Sequence, residues 1–357
     1  MLSGAALAAL ALTASACTSS GTSSGTASGT KAATDTTTTA STAVTQAQAR
    51  QIFDRYVATT TAALAAGDQQ AALSVLSGVQ WDTVRDQFLQ ARYDGAKLTT
   101  YRYGIPTFYL PDTTSYPQWF VASVRRTAST PTTITNVPLT AQGQVLMVFD
   151  RTAAAAPWML VSTAQLAPGQ TLPKLATNSD GQVETLPLDA TTTLASPDVT
   201  GPLQAAVVDN GPANAASQVV ASGPLTTGIY SYLANPAPLY AEPQGDVRQW
   251  ELLGSNYGRF VLRTSDGGAL VLYAMYLNTV VEVPAALAES DPVNPGPPIN
   301  VPPDFAPLLP TGKPAPRVSL TTQLALSFVA IDPPAAAANP KIDVIGIGGG
   351  PNWANEN

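Results

Sequence analysis

The chain has 357 residues, enough for two domains of ordinary size, with 45% hydrophobic residues, only 11% charged residues and a formal net charge of −7. With no basic cluster beyond Arg125-Arg126, that balance excludes a phosphate-tracking nucleic-acid surface. The absence of histidine and the single cysteine exclude Ser-His-Asp and Cys-His catalysis, imidazole-based zinc sites, intrachain disulfides and iron–sulfur ligation, which leaves any chemistry to carboxylates, Lys, Tyr or Ser; the expectation is a protein without metal or cofactor and not an enzyme.

Residues 5–14, AALAALALTA, form an uncharged run the length of a signal-peptide core and too short to span a bilayer as a helix. Ala14-Ser15-Ala16-Cys17 follows. Small residues before a cysteine at this point fit the extended segment that lipoprotein signal peptidase cleaves, and the stretch resembles a bacterial lipobox. The resemblance implies a signal peptide over 1–16 and a Cys17 carrying palmitate-type lipid. The protein would then be anchored to the cell membrane on its extracytoplasmic side. Residues 17–44 are Ser/Thr/Gly-rich with Lys31 and Asp35 as the only charges, a composition that predicts a disordered tether. Two motif matches inside it, Gly21–Gly25 (G-x-S-x-G) and Ser28–Lys31 (S-x-x-K), lack the strand and helix flanks and the partner residues their chemistry needs, and count as chance.

Residues 45–190 predict a first α+β domain. Apolar spacing gives helices over Thr45–Ala66, Gln69–Leu76 and Trp81–Tyr93, with Gly67-Asp68 as stop and cap. Strands follow at Tyr101–Leu110, Gln118–Thr127, Gln144–Arg151 and Trp158–Leu166. Helices first and antiparallel strands after is an α+β layout. The opening AALAAGDQQAALSVL and the hairpin VLMVFDRTAAAAPWMLVSTAQL resemble the cone-shaped fold of nuclear transport factor 2-like (cystatin-like) proteins, in which a long helix lies across a curved sheet. That resemblance implies a pocket between helix and sheet. Tyr56, Trp81, Tyr101, Tyr103, Phe108 and Trp119 are the candidates to line it or, as aromatics more often do, to fill the core.

Residues 196–350 predict a second α+β domain, whose helices-then-strands order leaves a duplication of the cone-like unit open. Ser196-Pro197-Asp198 opens a helix that Asn210-Gly211-Pro212 closes, and Ala213–Ala221 is a short helix. Thr226–Leu233, Val247–Leu253 and Gly258–Thr264 read as strands. Ser265–Gly268 reads as a hairpin turn into Ala269–Glu282, which is apolar on both faces and therefore central. Residues 291–316 are a Pro-rich extended insertion outside the core, Leu320–Ala330 and Lys341–Ile347 resume as strands, and 351–357 is a flexible tail. Gly346–Pro351 is not a nucleotide loop, because no helix follows to receive a phosphate. Glu242, Glu251 and Glu282 could serve as a glycosidase acid and base, but nothing in the sequence places two of them together.

The lipobox, the tether, the long Ala/Thr/Pro-rich region and the glycine-rich end together resemble an uncharacterised family of secreted actinobacterial lipoproteins. The implied protein is a non-enzymatic envelope lipoprotein that binds envelope proteins or a small apolar ligand. The competing classes are a carboxylate-dependent hydrolase of cell-wall polysaccharide and a structural or assembly factor of an envelope complex.

Overall fold

The computed structural model describes residues 43–235, 247–283, 298–310 and 316–356. Helix α1 (Gln46–Ala66) begins with a capping box: Thr45 accepts from the Gln48 N–H while the Gln48 side chain accepts from the Thr45 N–H. It ends at Gly67, whose φ of 67° is left-handed. Asp68 accepts from the Ala71 N–H at 3.0 Å and starts α2 (Gln69–Leu73). Helix α3 (Gly78–Asp94) starts three residues before the expected Trp81. Backbone bonds from Leu160 to Val75 and from Ser77 to Leu160 hold its first turn against the sheet.

The predicted strand Tyr101–Leu110 is split at Gly104-Ile105-Pro106 into β1 (Tyr101–Tyr103) and β2 (Thr107–Tyr109), both paired to β3 (Gln118–Ala128). A hairpin of β4 (Thr132–Ile134) and β5 (Val137–Leu139) stands apart as its own two-stranded sheet. Next come β6 (Gln142–Arg151), β7 (Met159–Leu166) and helix α4 (Thr200–Asn210). Thr226–Leu233 is not a strand but the helix α5 (Thr227–Ala234). Its β-branched and aromatic composition gives way to tertiary contact, because Ile229 and Leu233, four apart, are both buried against the sheet.

The rest is β8 (Val247–Gly254), β9 (Phe260–Arg263), β10 (Ala269–Glu282), β11 (Ser319–Asp332) and β12 (Asp343–Glu356). Strand β10 is central, with Leu270, Val271, Leu272 and Tyr273 all buried. Strand β12 runs nine residues past the expected Ile347, through the glycines and Pro351, so 351–356 is strand and not a flexible tail. The Pro-rich insertion, where described, is partly core: Ile299 packs with Val281 and Leu320, and Phe305, in a 3-10 turn over Pro303–Leu308, is also buried.

The structure is α+β, with a ten-stranded sheet in the order β1-β3-β6-β7-β12-β11-β10-β8, β2 and β9 branching from β3 and β10, every ladder antiparallel. Residues 41–357 cluster as one compact unit, and the sheet does not divide at 190–196, where the sequence suggested a boundary. Its two parts meet at β7 and β12 through two residue pairs, Gly346 with Leu166 and Ile347 with Gln165. Three apolar layers result. One packs α1–α3 on Phe120, Met147 and Phe149; a second packs α4 and α5 on Tyr273, Leu277 and Phe328. The third lies between the sheet faces, where Val121, Leu146 and Val148 meet Leu262, Leu270 and Val329. No helix among the described residues is long and apolar enough to cross a membrane.

The glycine run of β12 has a steric cause. A Cβ at Gly348 would lie 1.8 Å from the Thr163 carbonyl oxygen, and one at Gly349 (φ 111°) 2.0 Å from that of Ala325. Only glycine lets β12 pass between β7 and β11 at this spacing.

Candidate functional site

Helix α3 lies against β7 on one side and against β11 and β12 on the other, so it bridges the two sheet parts. Three hollows open along it, and all three share Gln87. At the upper end a narrow cleft holds Tyr56, Tyr101, Tyr103 and Arg126; the middle is lined by Thr130, Thr132 and Gln165. The lower end widens to about 630 Å³ between α3, the β4–β5 hairpin, α5, the 3-10 turn and Gly349–Pro351. We refer to the three together as the furrow.

The expected pocket residues separate here. Tyr56 and Tyr103 have their hydroxyls 3.3 Å apart at the closed end, and burial raises the pKa of both. Tyr101 lies beside them under the Arg126 guanidinium, 4.4 Å from its ring. Phe108 is core, edge-on to Phe53 and Phe120, and Trp81 packs on the same core with Arg85 over its ring. Trp119 neighbours Phe120 on β3, so period-two alternation turns it to the opposite face, onto Phe260. Cys17 lies outside the described residues, as does Glu242, while Glu251 and Glu282 are exposed and line no part of the furrow.

What sequence reasoning missed is the polar face of α3. Asp82, Arg85 and Asp86 form a cluster in which Arg85 Nε lies 2.9 Å from Asp86 Oδ1 and its Nη1 3.7 Å from Asp82 Oδ1. Arg85 Nη2 also donates to the Asn352 carbonyl on β12, 2.6 Å away. Asp86 is 6% exposed, and burial outweighs the neighbouring Arg85 charge to push its pKa up to about 7. Its Oδ2 has no hydrogen-bond partner among the described residues, nor do the buried Oε1 atoms of Gln87 and Gln90. A buried acceptor without a donor costs about 1–3 kcal/mol, and these three oxygens lie close together along α3. Polar helix positions ordinarily read as a solvated face, which is why no local pattern flags them. The one sequence signal was indirect: a glycine run inside a strand marks close backbone approach.

The lower hollow mixes threonine hydroxyls from α3, the hairpin, β10 and β11 with an apolar floor of Leu277, Leu324 and Ile134. Asp86 and Asp304 are its only charged lining residues, and no Lys or Arg lines it among the described residues. No three acidic or sulfur-bearing side chains converge as a metal site among the described residues.

A family model described as "Domain of unknown function (DUF8094)" matches residues 40–348. The chain belongs to this family. The DUF8094 match begins just before α1 and ends within the glycines of β12, so it takes in both sheet parts and nearly all of the furrow. Nothing among the curated proteins and nothing among the solved structures matches the chain.

Proposed function

We propose that this DUF8094 protein is a non-enzymatic lipoprotein of the cell envelope, held to the membrane through Cys17, that binds a ligand in the furrow beside α3. The anchor rests on Ala14-Ser15-Ala16-Cys17 and on the Ser/Thr/Gly-rich stretch that follows. The binding role is carried by one observation, a hollow of about 630 Å³ in which threonine hydroxyls and the polar residues Asp86, Gln87 and Gln90 face an apolar floor of Leu277, Leu324 and Ile134. The part spanning 45–190 is read as a cone-like unit of the nuclear transport factor 2 type. Support for that reading comes from three helices packed across one face of an antiparallel sheet.

A carboxylate-dependent hydrolase is the second reading, favoured by the high pKa of Asp86, which suits a general acid at neutral pH. Against it stands the Arg85 guanidinium on Oδ1, which fixes that carboxylate as an ion-pair partner. In the hydrolase, an Asp86→Asn variant would lose turnover of wall polysaccharide; in the binding protein there is no turnover to lose.

Cell fractionation tests the anchor: Cys17→Ala is expected to move the protein from the membrane to the soluble extracytoplasmic fraction, and retention at the membrane would refute it. Native mass spectrometry of protein extracted from its own envelope tests the furrow. Thr132, exposed on β4 between the middle and lower hollows, is the place to block it. Co-purified mass on the wild type is expected to vanish in Thr132→Trp; mass that stays, or none on the wild type, counts against a ligand in the furrow.

A further inference from the structure

We infer that a hollow at the first turn of α3, separate from the furrow, binds a primary ammonium on a short carbon chain, with Asp150 meeting its charge. Leu146, Val148 and Asp150 share one face of β6. The first two are buried in the layer that holds Leu262 and Leu270, and Asp150 reaches the open end of it. There a hollow of about 180 Å³ lies between the start of α3, β7, residues 256–258 and strands β9 and β10. That is the room of about six waters at ~30 Å³ each. Ser77, Asp150, Ser162 and Asn256 line it, and none of their side chains makes a hydrogen bond or ion pair among the described residues. Asp150 is partly exposed and its oxygens are not among the sealed acceptors, so a molecule in the hollow can touch it.

The charge selects the ligand. Burial pushes the Asp150 pKa up to about 6, and no neighbouring charge or hydrogen bond offsets it, so at neutral pH it is a partly desolvated carboxylate without a counter-ion. Arg151, next in the chain, does not supply one: its guanidinium donates to Gln118 at 2.6 Å and lies over the Trp158 ring. The amides of Gly78 and Val79 border the hollow but donate nothing to Asp150, and no Lys or Arg lines it. An anion would be repelled, and a neutral polyol would leave the charge unbalanced. A calcium ion takes about six to eight oxygens, whereas Asp150 is the only lining carboxylate. An ammonium gives N–H donors to Asp150 and to the Ser77 and Ser162 hydroxyl oxygens. Its carbon chain is covered by the Tyr257 and Phe260 rings and by Leu272.

The test is titration of the full-length protein in detergent with putrescine and with Nα-acetyl-lysine amide, read by saturation-transfer NMR and calorimetry. Butanediol (the neutral counterpart of putrescine), acetate and calcium chloride are run beside them. The expected result is saturable binding of at least one amine, at least tenfold tighter than butanediol and weakened at least tenfold in Asp150→Asn. Ser162→Leu, which fills the hollow and leaves Asp150 in place, is expected to abolish it. Asp189→Asn removes the same charge at an exposed site and is expected to bind like the wild type; melting curves check that all three variants fold. No amine binding, or amine binding unchanged in Asp150→Asn, overturns the inference. Butanediol or acetate binding as tightly as the amines, or calcium binding in their place, also overturns it. A tighter lysine amide assigns the ammonium to the side chain of a peptide, and a tighter putrescine assigns it to a free amine. The Thr132→Trp experiment probes a different hollow, so either reading can fail without the other.

Discussion

The Tyr257 hydroxyl donates to Asp82 Oδ2 across 2.5 Å, which ties the loop between β8 and β9 to the helix that walls the furrow. Asp82 is buried, and among the described residues it is also 3.7 Å from Arg85 Nη1. Tyr257→Phe removes the donor and leaves a buried carboxylate short of a partner. The expected cost is about 1.5–3 kcal/mol, seen as a lower urea midpoint at unchanged slope. A shift under a tenth of that size would show the bond to be dispensable.

Asp332 gives a pH-dependent prediction. It is fully buried at the end of β11, its Oδ2 has no partner among the described residues, and burial lifts its pKa to about 6 against weak backbone bonds that lower it. The folded state therefore holds its proton to higher pH than the unfolded chain does. Below about pH 4 both states are protonated; between there and pH 6 only the unfolded chain ionises, so stability falls as pH rises and then levels off. Asp86, Asp150 and Asp209 are also raised chiefly by burial and act in the same direction. Asp332→Asn is expected to stabilise by about 1–3 kcal/mol at pH 8 and to change nothing near pH 3.5, measured by denaturant melts at the two pH values.

The close passage of β12 predicts intolerance at one glycine. Gly348→Ala drives a methyl group into the Thr163 carbonyl, a backbone atom that cannot rotate away. The strands must part, at a cost of at least about 3 kcal/mol. Gly254→Ala, on β8 with open space around it, is the control and should cost far less. Equal melting temperatures for the two variants would contradict the packing described.

The β4–β5 hairpin turns on Thr135 and Asn136, with φ of 46° and 63°. Two positive values in a two-residue turn suit Asn and Gly, and a β-branched threonine is strained there. Thr135→Asn should raise stability by about 0.5–1 kcal/mol without disturbing Thr132, which is checked by thermal melting together with native mass spectrometry of the envelope-extracted protein. The strain sits on the furrow wall, so a stabilised hairpin that also alters affinity would mark the turn as part of the recognition surface.

Local signals carried much of the architecture into the sequence. The Thr45–Gln48 capping box, the Gly67-Asp68 stop and the two-faced apolar run of β10 each sit within a few residues and follow from backbone chemistry alone. Helix α5 was not legible, because Thr-Gly-Ile-Tyr-Ser-Tyr favours strand locally and becomes helical through what Ile229 and Leu233 bury. The junction of β7 with β12 joins residues about 180 apart, a distance at which periodicity says nothing. Trp119 was the avoidable miss, since alternation with Phe120 already assigns it to the other face. Asp86, Gln87 and Gln90 carry no pattern of their own, and their meaning comes from the strand that passes beside them.

That two-pair junction also has a consequence for how the protein is made. During synthesis from the N-terminus, β7 emerges with an open hydrogen-bonding edge and stays so until residues 343–356 are available to cap it. Strand β11 waits for the same partner on its own side. A chain in transit therefore exposes the β7 edge for about half of its synthesis, while the β11 edge waits only for the short stretch between Asp332 and Asp343. Residues 343–356 decide when that vulnerable period closes, and nascent chains stopped short of residue 343 should be the ones most prone to aggregate.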